Sequence, residues 1–145
     1  MADSEDSKLW HRYREAMSTS TRLMQQEQND AALSVLNDAI AMAVDEKEVQ
    51  WILTLSHHAA VVSNFSGKPE LVKRYYEQSL SYSPENPRAL LGLAVVSLDQ
   101  GNPELATTYA VRCYESLQTS DHFLKDSYLE TLLSKWPELA PPSSR

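Results

Sequence analysis

A stretch of sixteen residues in this chain returns after 34. Ala60-Val61-Val62-Ser63 recurs as Ala94-Val95-Val96-Ser97, Gly67 as Gly101, Pro69-Glu70-Leu71 as Pro103-Glu104-Leu105, and Tyr75 as Tyr109. Nine of the sixteen aligned positions are identical, where chance matching at about 6% per position gives about one. A repeat of this length marks a supersecondary unit that cannot bury its apolar face alone and is completed by a neighbouring copy.

The pattern inside the unit is helical. Leu71, Val72, Tyr75, Tyr76, Ser79 and Leu80 lie on one stripe, as do Leu105, Ala106, Tyr109, Ala110, Cys113 and Tyr114. Asn102 before Pro103 and Asn86 before Pro87 read as helix N-caps followed by a first-turn proline. Pro84 blocks continuation of the preceding helix. Gly67 and Gly101 stand where a helix stops and the chain reverses through left-handed backbone. Helices are expected near 7–28, 30–44, 47–65, 69–82, 87–100, 103–117 and 121–135, with no strand. Residues 1–6 and the proline- and serine-rich segment 137–145 are expected to be disordered.

Charge narrows the function. Thirteen basic against twenty acidic side chains leave −7 over 145 residues, with no basic run longer than Lys73-Arg74, so nucleic acid and anionic membrane surfaces are disfavoured. The longest apolar runs fall far short of the roughly 20 residues that span a bilayer, and the acidic start does not read as a targeting segment. One cysteine, Cys113, agrees with a reducing, cytoplasmic setting. Only three glycines occur, which disfavours a turn-rich β fold.

The 34-residue alternation of helices resembles the tetratricopeptide repeat family, most closely from Leu53 to Asn86 and from Pro87 to about Ser120. The positions where that family crosses its helices closely hold Ala60, Val72 and Ser79, then Ala94, Ala106 and Cys113. Pro84 matches the family's proline. Ser56 and Leu90 replace its initial large aromatic, and Ser116 replaces the second proline. A weaker first unit carries Ala16, Ser20 and Leu23, then Ala32, Leu36 and Ala39. Ala39 and Ser79 are 40 apart, and the extra six residues are expected to lengthen the helix carrying Trp51. The resemblance implies an all-α fold: a right-handed α-solenoid of antiparallel helix pairs. One domain, 7–136, would hold repeats at about 13–46, 53–86 and 87–120, closed by a capping helix at 121–135 that presents Leu124, Tyr128, Leu129, Leu132, Leu133 and Trp136.

Little here reads as catalysis. His57 and His58 are adjacent, so on a helix they diverge by about 100°, and no His pair has the spacing of a helical zinc site. Cys113 lies on an apolar stripe, where cysteine acts as a small hydrophobe. Phosphate-loop, nucleophile-elbow and paired-cysteine motifs are missing. No enzyme activity, metal or cofactor is expected. Trp10 and Trp51 read as seals of the first repeat, with partner anchoring as the competing role.

In the resembled family the first helix of each pair lines a groove that takes a peptide. By position this implies Met17, Thr21 and Met24, then His57, Val61, Asn64 and Phe65, then Arg88, Leu91, Val95 and Leu98. The competing role of these residues is packing beneath the capping helix. A mixed, rather apolar surface suits a hydrophobic peptide or an amphipathic helix. Met17, Thr21, Val61 and Ala89 occupy the positions of the family's clamp for chaperone tails, so that mode is not expected. The expected function is an adaptor or scaffold subunit holding another protein, with homo-oligomerisation left open. The alternatives are a chaperone of secreted or membrane-protein clients and a cytosolic subunit of a membrane-protein insertase. The insertase reading rests on Glu70 to Tyr76 and Arg88-Ala89-Leu90.

Overall fold

The computed structural model describes residues 2–142, with side chains from Lys8 onward. Seven α-helices follow one another: α1 Ala2–Gln25, α2 Asn29–Asp45, α3 Val49–Phe65, α4 Pro69–Tyr82, α5 Pro87–Asp99, α6 Pro103–Gln118 and α7 Lys125–Lys135. A 3₁₀ turn, Pro137–Leu139, closes the sequence of elements. No strand occurs among the described residues, so the fold is all-α.

One turn is used four times. After α1, α2, α3 and α5 the chain reverses in three residues, and the middle residue, Glu27, Lys47, Gly67 or Gly101, has positive φ. The amide of the third residue reaches back five positions, as in Gln28 N–H to the Leu23 carbonyl and Lys68 N–H to the Ser63 carbonyl. That is the double-bonded helix ending that left-handed backbone permits. Side-chain caps appear where asparagine precedes proline. Asn86 Oδ1 accepts from Ala89 N–H at 3.0 Å, and Asn102 Oδ1 from Leu105 N–H at 3.3 Å.

The chain divides into two compact units, Met1–Tyr75 and Tyr76–Arg145. In the first, α1 packs on α2 and α3, and α2 packs on α3. Its side-chain contacts reveal the stacking. Tyr13 meets Trp51 with ring centroids 5.0 Å apart, and Thr21 Oγ1 lies 3.0 Å from His58 Nε2. Ascending α1 therefore ascends α3, and the two run parallel. Lys68 Nζ is 2.9 Å from Asp30 Oδ1, and Tyr75 OH donates to Asn37 Oδ1 at 2.6 Å. Both pairs are 38 residues apart in sequence, so α4 runs parallel to α2. Two helix pairs thus stack in register, which is a helical-repeat arrangement.

In the second unit α5 and α6 form an antiparallel pair through Leu90, Leu91, Ala94, Ala106, Ala110, Cys113 and Leu117, with Leu132 and Trp136 in the same core. Ala94, Ala106 and Cys113 are fully buried, as small residues at a close crossing must be. Ala60, Val72 and Ser79 are buried too.

Several boundaries differ from expectation. α1 starts at Ala2, within the segment read as disordered; no glycine or proline interrupts 2–25, and a formed helix extends at little cost per residue. Met1 lies outside the described residues. Segment 137–142 is not featureless: Pro137–Leu139 form a turn, and Leu139 packs on the second core. Residues 143–145 lie outside the described residues. α7 begins at Lys125 rather than 121 because Ser120 Oγ accepts from His122 N–H and His122 Nδ1 from Leu124 N–H, at 3.0 and 3.1 Å. The six extra residues of the first repeat are shared. α3 is four longer than α5, α2 is three longer than α4, and the α2–α3 turn is one shorter than the α4–α5 connection.

Candidate functional site

The first unit carries two sets of proposed groove residues. On α1, Met17, Thr21 and Met24 are half-buried. On α3, His57 and Val61 are half-buried, Asn64 is exposed, and Phe65 is 69% exposed. Thr21 gives its hydroxyl proton to the Met17 carbonyl at 2.9 Å. With that proton so placed, the tautomer that carries hydrogen on His58 Nε2 donates to Thr21 Oγ1. Burial lowers the His58 pKa below its ordinary value, which suits a neutral imidazole in that contact. His58 thus links α3 to Thr21 of α1.

An open groove of about 470 Å³ runs along α1, lined by Arg14, Met17, Ser18, Thr21, Arg22 and Gln25. Met17 and Thr21 were expected there, and the arginines were not. Their signal was the spacing: residues 14, 18 and 22 form one ridge of a helix and 17, 21 and 25 the next. Arg14 sits over the Trp10 ring, 4.6 Å from its centroid, and Trp10 remains 43% exposed. Trp51 is half-buried against Tyr13, whose pKa is raised by burial and further by Glu48 and Glu46.

The second unit treats its candidates differently. Leu91 belongs to the buried core, and Val95 and Leu98 pack against that core, which includes Leu132 and Trp136 of the C-terminal segment. Arg88 Nε donates to Tyr128 OH on α7 at 2.9 Å, and α7 packs on both α5 and α6. The competing role, packing beneath the last helix, therefore holds for Leu91. The polar end of this contact continues as Tyr128 against His122, at 5.4 Å, and His122 against Phe123, at 4.9 Å. Phe123 is 84% exposed. A second concavity of about 490 Å³, lined by residues including Pro84, Glu85, Leu90 and Arg112, was not foreseen. Arg112 there donates to the Pro84 carbonyl at 3.2 Å.

Two reactive groups are buried. Cys113 is buried, its thiol is pushed up to about 12 by desolvation, and its Sγ lies 3.4 Å from the Pro87 carbonyl. Tyr76 is pushed to about 12 by burial, which outweighs the opposing pull of Arg88. Among the described residues, no three His, Cys, Asp or Glu side chains gather as a metal set. No helix among them is long and apolar enough to cross a membrane.

Comparison with solved structures finds the Yersinia enterocolitica type III secretion translocator chaperone SycD, crystallised as an alternative dimer, at a TM-score of 0.62 and 17% identity. The match covers 85% of this chain and 92% of that one. At this identity it shows a shared all-helical fold. No protein-family model and no curated protein sequence matches the chain.

Proposed function

We propose that this chain is a divergent tetratricopeptide-repeat protein that holds a segment of another polypeptide on the first helices of its repeats. The observation that carries the reading is the in-register stacking in the first unit. α1 and α3 lie side by side there and leave Met17, Met24, Val61 and Phe65 at least partly accessible. Accessible apolar side chains on a rigid helical face supply the anchors from which binding energy comes. The reading is non-catalytic and needs no cofactor. The buried Cys113 thiol, with its raised pKa, is poorly suited to nucleophilic work.

A second reading has a specific observation in its favour. The fold match to a secretion translocator chaperone spans 92% of that crystallised chain. It supports a chaperone that shields an apolar segment of a client until delivery, with homodimerisation as a corollary. Both readings share one site and one test. Tagged wild-type and Val61→Asp chains are used for capture in the cell of origin, with circular dichroism confirming equal helicity. The expected result is one protein held in stoichiometric amount by the wild type and reduced at least about tenfold by Val61→Asp, the scale of losing one buried anchor. Equal retention by both, or no retained protein, contradicts the reading. A client that is insoluble without this chain selects the chaperone; one that is stable alone selects the adaptor.

A further inference from the structure

We infer that the α1 groove takes an acidic segment of a partner in which two carboxylates flank an apolar side chain. This deepens the proposed function and rests on it. Residues 8–25 hold Lys8, Arg12, Arg14 and Arg22 against a single acid, Glu15, in a chain whose net charge is −7. Arg14 and Arg22 both line the groove. Among the described residues neither has a carboxylate partner; Arg14 rests on the Trp10 ring. Two guanidinium groups without a carboxylate partner beside an open surface groove suit paired acceptors.

The spacing sets the ligand. Eight residues of α-helix set the arginines about 12 Å apart along the axis and about 80° apart around it, so a strand that meets both crosses the helix obliquely. An extended strand rises about 3.3 Å per residue and repeats its facing every second residue. Residues i and i+4 of such a strand therefore face the same way about 13 Å apart, matching the arginines. Residue i+2 then faces the middle, where Ser18 and the half-buried Met17 line the groove. The pattern is acid-x-apolar-x-acid. A large polyanion is the poorer fit, because the net negative charge repels an extended anionic surface while a short segment feels the local arginines. Met17 and Thr21, which the tail-clamp comparison also names, line this groove, but its charge comes from Arg14 and Arg22 instead.

A random dodecapeptide library displayed on phage and selected on the immobilised full chain tests this. Enrichment of acid-x-apolar-x-acid is expected. A synthetic enriched peptide should bind about tenfold more weakly to Arg14→Ala/Arg22→Ala, the scale of two exposed ion pairs, and retain most of its affinity for Arg14→Lys/Arg22→Lys. Enrichment of sequences without acids, equal binding to the alanine variant, no enrichment at all, or arginine-dependent binding to phosphatidylserine vesicles would each overturn it. If Val61-dependent capture succeeds while the selection fails, the charge inference falls alone. If capture fails as well, the broader reading falls and this inference with it.

Discussion

Lys47 and Glu27 hold φ of 57° and 60° at the turn position that Gly67 and Gly101 fill at 69° and 78°. A side chain in left-handed backbone costs roughly 1–2 kcal/mol, and glycine gives back part of that through its freedom in the unfolded chain. Lys47→Gly should therefore stabilise the protein by about 0.5–1 kcal/mol, read as a higher urea midpoint at unchanged slope. At the same scale, His58 couples the α1–α3 contact to pH. Its folded-state pKa lies below the ordinary value, so the unfolded chain takes up the proton first as pH falls. Stability should be level above about pH 6.5 and decline as pH drops through and below it. His58→Gln should flatten that decline between about pH 7 and 5.5 in urea titrations, leaving the contribution of the carboxylates at lower pH.

Elements are held by close approaches that permit little change. Gly92 in α5 faces the Tyr76 ring so closely that an added Cβ would lie 2.6 Å from its Cδ2 atom, and that ring is buried. Gly92→Ala should cost about 1–3 kcal/mol through overpacking, measured by thermal melting. On α7, Leu132 is fully buried; Leu132→Ala should cost about 2–5 kcal/mol and raise binding of an apolar dye as the end of the core loosens. Much of this was legible beforehand. The recurrence of Ala60 as Ala94 and Gly67 as Gly101 placed the helices, and asparagine before proline marked two caps. Spacing alone did not show that α2 and α3 share the six extra residues, because a periodic stripe tolerates added residues in either helix. The start of α7 depended on His122 bonding the backbone locally, a competition between turn and helix that composition does not decide. Within the candidate site, a family-like reading pointed to inner apolar positions and passed over Arg14 and Arg22. These arginines look like ordinary solvent-facing charges until the groove appears beside them. Leu91 lies in the buried core that Leu132 and Trp136 share, a position that the apolar stripe alone does not distinguish from one facing a groove.

For the molecule as a whole, a net charge of −7 should speed encounter with basic surfaces and slow it with acidic ones. Selection of an acidic ligand would thus rest on local geometry against the global field. The repeat architecture supplies rigid helices, and the proposed function takes the apolar residues left accessible on α1 and α3 as a surface for another chain. In vivo photocrosslinking tests that claim most directly: a benzophenone amino acid is placed at Val61, or at the exposed Asp38 of α2 as control, and crosslinked products are identified by mass spectrometry. The account predicts one dominant protein adduct from position 61 and none from position 38. Equal adducts from both positions, or none from position 61 in a chain that folds normally, would contradict it.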